Sequence, residues 1–136
     1  MNLSRLFVIA IFGALVISCS SKEEGKDLKY PSTKEVTALY KLATSEKYED
    51  ITKKMASCKD MPAEYVEEIQ NALKQHAFAI RENKGGIRDF SINDIEAFSD
   101  KGEYATDALI SVIYNDSTEE EVLFRMVFED GKWFLR

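Results

Sequence analysis

Two thiols, one imidazole and a set of aromatic side chains are the residue types in this 136-residue chain best suited to chemistry. Cys19 follows Val16-Ile17-Ser18, at the end of an apolar or small run from Leu6 to Ile17. A small residue before the cut fits a peptidase pocket, and the thiol can take a thioether-linked diacylglycerol. His76 is the single histidine. It stands beside an apolar helical stripe and could act as a general base at a pocket mouth. Cys58 could be a nucleophile activated by it. No carboxylate has a spacing that would orient His76, and no nucleophile motif surrounds Cys58. The simpler readings are therefore favoured: a helix-boundary side chain and a small buried apolar one. One His and one spare Cys cannot complete a usual zinc set. Asn93-Asp94-Ile95-Glu96 lacks the oxygen spacing and the glycine of a calcium loop. Gly85-Gly86 follows a helix instead of opening one, so no phosphate loop is expected. No catalytic residue, metal or cofactor is expected. Tyr104, Tyr114, Phe124, Phe128 and Trp133, with His76, form the candidate lining of a ligand cavity. The competing reading is that the aromatic side chains fill the core.

The chain before Cys19 reads as an address. Arg5 gives a short positive start, and the apolar run is too short to span a bilayer as a helix. Val16-Ile17-Ser18-Cys19 resembles the lipobox of bacterial lipoproteins. That resemblance implies a signal peptide over residues 1–18 and acylation, palmitate included, at Cys19. Two or three acyl chains bury enough methylene to anchor a protein stably. Ser20 is not Asp, which favours the outer membrane over retention at the inner one. Ser21-Lys22-Glu23-Glu24 is similar to a surface-export signal, and leaves a periplasmic or a surface-exposed position open. Residues 19–31 are polar and read as a lipidated Cys and flexible tether, reaching at most about 40 Å. Residues 32–136 are the domain it carries.

Charge narrows the partners. The whole chain has a formal net charge of −6. Residues 1–18 hold one charged side chain, Arg5, so the mature part has 17 basic against 24 acidic residues, or −7. Nucleic-acid binding needs clustered Lys and Arg, and docking on anionic lipid needs a basic patch. Neither occurs. With Cys19 acylated, Cys58 has no intramolecular disulfide partner. The domain must rest on its hydrophobic core.

The elements that would position these side chains follow from periodicity. Ser32 with Glu35 is a capping box, and Val36, Leu39, Tyr40 and Ala43 recur at helical spacing. Ser45 is a candidate cap for a second short helix with Tyr48, Ile51 and Met55 on one face. Ala56–Met61 reads as a loop. Pro62 suits the first position of a long helix whose stripe is Val66, Ile69, Leu73, Ala77 and Ile80, closed by Gly85-Gly86. The period then changes to that of strands: Ile87 to Ala97, Tyr104 to Tyr114, Glu121 to Phe128 and Lys132 to Arg136. Ser99–Gly102, Asn115–Thr118 and Asp130-Gly131 are the turns. Helices first and an antiparallel meander after them give an α+β class.

The Tyr40…Tyr48 helix pair, the Lys84-Gly85-Gly86-Ile87 entry to the sheet and the terminal Glu129-Asp130-Gly131-Lys132-Trp133 resemble small bacterial lipoproteins. These belong to the nuclear-transport-factor-2-like (cystatin-like) superfamily and include domains of unknown function. The resemblance covers about residues 30–136. It implies N-terminal helices packed on a curved four-stranded antiparallel sheet, a cone wrapped around the long helix. It implies no particular activity.

Strand alternation places Val122, Phe124, Met126 and Phe128 towards the helices. The outer face is then expected to carry Leu109, Ile113, Leu123, Val127 and Phe134, interrupted by Ser111 and Arg125. A one-layer sheet should alternate apolar with polar, so this face reads as a partner surface. A homodimer is the first expectation and an envelope protein the second. The expected function is a membrane-anchored binding or scaffolding module. A hydrolase- or isomerase-type enzyme using the cone is the alternative.

Overall fold

Ser32 opens the first helix as its spacing predicts. In α1 (Thr33–Ala43) the Glu35 N–H donates to Ser32 Oγ at 3.0 Å, and the Ser32 N–H donates to Glu35 Oε1 at 2.8 Å. Both bonds satisfy donors that a helix start leaves without partners. The computed structural model describes residues 28–136. Cys19, the expected signal peptide and most of the expected tether lie outside the described residues.

The second helix begins later than expected. α2 is Tyr48–Lys53, and its N-cap is Lys47, with no side-chain cap bond. Ser45 serves the end of α1 instead: its hydroxyl donates to the Leu42 carbonyl at 2.7 Å and accepts the Lys47 N–H at 3.1 Å. A 3-10 turn, Ala56–Cys58, lies in the segment read as a loop. Pro62 immediately precedes α3 (Ala63–Lys84), as its N-cap. Gly85 ends α3 at φ +81°, a left-handed conformation that suits glycine.

The sheet is an antiparallel meander in the order β1-β2-β3-β4: Ile87–Asp100, Glu103–Tyr114, Glu119–Glu129 and Lys132–Leu135. Lys101-Gly102 and Asp130-Gly131 both have positive φ, so their turns match the twist of the strands they join. β2 and β3 pair without a register shift. β1 carries two irregularities, between Ile87 and Asp89 and between Ile92 and Asp94. Each leaves one extra residue, Arg88 and Asn93, which bends this edge strand. After the second, Ile95 turns its side chain to the core and Asp94 does not.

The core lies on the concave side. Ala108, Ile110, Val112 and Tyr114 of β2 and Met126 of β3 are buried there. Val36, Leu39 and Tyr40 of α1 pack on them. Here the expected arrangement is corrected. The helix that fills the curve is α1, whereas α3 has no buried residue at all. Leu73 and Ile80 of α3 reach the core cluster only in part, and α3 lies against α2 and β1. The physical reason is which side chains each stripe can bury. α1 sends Val36, Leu39 and Tyr40 fully into the core, while the α3 stripe offers half-buried Leu73 and Ile80 with small Ala77 between them, so it covers an edge. No helix among the described residues is long and apolar enough to cross a membrane.

Candidate functional site

The recess of a curved sheet is the first place to look for a ligand, and the aromatic side chains of this chain converge there. Tyr40 projects from α1 between two strands. Its ring meets Phe90 of β1 edge-on at 4.8 Å and Phe124 of β3 edge-on at 5.0 Å. Such edge-to-face pairs add about 0.5–1.5 kcal/mol each beyond the area they bury. Phe128 and Trp133 face each other across the β3–β4 hairpin, 5.1 Å apart. Trp133 and Tyr114 are both buried. Tyr104 is half-buried at the far end, with the Lys29 ammonium 5.9 Å from its ring centre. Of the five candidate lining residues, Tyr114 and Trp133 belong to the core, Phe124 and Phe128 pack against it, and Tyr104 lies outside it.

One polar group lies among them. The Tyr114 phenol donates to Glu120 Oε1 at 2.6 Å. Burial, and after it this bond, push the Tyr114 phenol well above its ordinary range. Burial and the Glu120 charge also raise Tyr40. The Lys84 ammonium sits 5.0 Å from the Tyr114 ring centre. This corner holds neutral phenols beside a carboxylate, an arrangement that orders the rim of the cone. Tyr40, Phe90 and Glu120 were not among the candidate lining residues read from the sequence. Tyr40 stood in the helical stripe, but nothing local says that it bridges two strands.

His76 does not reach this recess. It is exposed on α3 and makes no side-chain hydrogen bond or ion pair among the described residues. Cys58 is buried in the turn after α2 and is a free thiol. No group of three or more His, Cys, Asp or Glu side chains among the described residues could hold a metal ion. Thr106 Oγ1, on the inner side of β2, is a buried hydroxyl with no hydrogen-bond partner among the described residues.

Comparison with known proteins places this geometry. No protein-family model matches the chain, and no curated protein matches it significantly. Its structure is similar to a Campylobacter jejuni protein solved by crystallography and provisionally named an NTF2-like transpeptidase. The TM-score is 0.57 at 17% identity, over 76% of this chain and 97% of that one. The fold is NTF2-like. At that identity the likeness carries the architecture and no more.

In this NTF2-like domain the convex face of the sheet divides in two. Leu109 and Leu123 stand directly opposite each other, and Val127 stands opposite Phe134. The second pair is covered by the chain itself. The Leu135 N–H donates to the Lys54 carbonyl at 2.7 Å, and Met55 forms a parallel bridge with Leu135. That pairing carries the segment after α2 along the free edge of β4. Lys54 and Lys59 then place their ammonium groups 5.0 and 4.9 Å from the Phe134 ring centre. Val127 is fully buried and Phe134 half-buried. The expected five-residue patch shrinks to Leu109, Ile113 and Leu123. On the other side of the molecule, Asn71, Lys74, Gln75, Phe78 and Arg81 line an open groove of about 480 Å³ along α3, with Phe78 exposed.

Proposed function

We propose that this chain is a lipid-anchored binding module of the bacterial cell envelope, held to the outer membrane through acylated Cys19. The lipobox-like Val16-Ile17-Ser18-Cys19 supports the anchor. The observation that carries the binding role is the position of Tyr40. It packs between Phe90 and Phe124, so the chain's own side chains occupy that part of the recess. A hydrolase- or isomerase-type reaction would require an acid–base pair converging on open space. A transpeptidase, as the C. jejuni protein is named, would require an accessible nucleophile beside a base. Cys58 is buried and His76 stands on the surface of α3, so neither reading draws support from them.

The anchor is tested by acyl labelling and membrane fractionation of the full chain in its own cells. Wild type is expected to carry label and to partition with membranes, and Cys19→Ser to lose the label and be released. A Cys19→Ser variant that stays labelled and membrane-bound would overturn the assignment.

A further inference from the structure

The convex face leaves apolar surface uncovered in the middle of two regular strands. Leu123 is 64% exposed. Leu109 pairs with it across β2 and β3, and Ile113 lies further along the same face. Because β2 and β3 run in unbroken register, these side chains share one side of the sheet.

The charges around them are mostly acidic; the basic residues nearby are Arg88, the extra residue of the first irregularity in β1, and Arg125 and Arg136, which bond Asp107 and Glu103. The β1 register puts Asp89 beside Ile113, Asp94 beside Leu109, and Glu96 beside Asp107, all on the convex side. From β3, Glu119 pairs with Ile113 and Glu121 with Ser111. Asp89, Asp94, Glu96, Glu119 and Glu121 are exposed and take part in none of the ion pairs of the described residues. Arg125 bonds Asp107 through two nitrogens at 2.7 and 2.8 Å. Asn93, the extra residue of the second irregularity in β1, donates to Ser111 Oγ at 2.6 Å and to Glu121 Oε2 at 3.2 Å. It therefore holds one carboxylate of the rim in place.

We propose that this face docks a protein segment carrying an apolar side chain flanked by lysine or arginine. The proposal rests on the binding-module reading and narrows its partner. Charge complementarity decides between occupants. A second copy in two-fold symmetry would set one acidic rim against another. Anionic lipid would be repelled in the same way. A basic segment meets the rim with opposite charge and covers the leucines. Three strands about 4.8 Å apart and some ten residues long offer an area on the order of several hundred Å². That is below the ~800 Å² per partner of a whole-protein interface, and suits a segment.

Photocrosslinking in native membranes, with the full chain, tests this. One photoreactive residue replaces Leu123, and a second chain carries it in place of Phe78 on the α3 groove. The expected result is an adduct at 123 to a second protein, with the crosslinked peptide holding Lys or Arg beside an apolar residue. Asp94→Lys with Glu121→Lys should lower its yield about tenfold or more. If that pair of reversals disturbs the circular dichroism spectrum, the milder Asp94→Asn with Glu121→Gln carries the comparison, with a fall of about threefold expected. An adduct to a second copy, to lipid or to a segment without basic residues overturns the proposal. So does a yield indifferent to the charge changes. Crosslinking at 78 with silence at 123 removes this face and leaves the binding-module reading standing. Silence at both positions removes both.

Discussion

Tyr114 and Glu120 join the two strands of the β2–β3 hairpin at the rim of the cone: the phenol donates to the carboxylate at 2.6 Å. Tyr114 is buried while Glu120 is exposed, so the bond anchors a charged side chain by a fixed one. The phenols of Tyr114 and Tyr40 are both raised, each by burial first, then by Glu120. A raised phenol stays protonated in the folded chain where the unfolded chain would release its proton. The two contribute no pH dependence below about pH 10 and lose stabilisation as pH rises above it. The urea midpoint should therefore be flat from neutral to about pH 9.5 and fall beyond. Tyr114→Phe should cost about 1 kcal/mol at neutral pH and make the alkaline fall shallower. A wild-type midpoint indifferent to alkaline pH would contradict this account.

The position of α1 inside the curve predicts an unequal response to the same truncation. Val36 on α1 is fully buried, whereas Val66 on α3 is half-buried and outside the core cluster. Val36→Ala should cost about 2 kcal/mol and Val66→Ala less than about 1 kcal/mol, measured by urea denaturation. Equal losses, or the reverse order, would put the long helix in the curve.

Gly85 ties the end of α3 to the β2–β3 turn. A Cβ there would lie 3.2 Å from Asn115 Cβ, and φ is already +81°. The Gly85 carbonyl also accepts Asn115 Nδ2 at 2.7 Å. Gly85→Ala is expected to cost about 1–3 kcal/mol. Gly102 has a similar φ of +80° but nothing within 4 Å of its Cβ position, so Gly102→Ala should cost less. Equal effects at both sites would show that the Asn115 contact is immaterial.

His76→Ala and Cys58→Ala should leave the cellular role intact. His76 is exposed and its removal should move the melting midpoint little; buried Cys58 should lose about 1 kcal/mol on truncation. A lost phenotype with an unchanged melting curve in the His76→Ala variant would restore the enzyme reading.

Local rules carried much of the fold. Ser32 and Glu35 satisfy helix donors three residues apart, Gly85 takes a φ that favours glycine, and Asp130-Gly131 turns a hairpin in two residues. Each of these is decided within a few bonds, so the sequence alone determined it. Alternation in β2 and β3 likewise assigned the correct side to Leu109, Ile113, Leu123 and Met126. Periodicity marks the apolar face of a helix without naming what covers it, and the long helix α3 was expected in the curve. Only tertiary packing chose α1, by setting Tyr40 against Phe90 and Phe124 from strands some 50 and 84 residues away. The same holds for Val127 and Phe134. Their side of the sheet was legible, but their burial depends on the Lys54–Met55 segment pairing with Leu135. Which face a strand residue points to is a property of its own backbone; whether water reaches it is settled by chain arriving from far along the sequence.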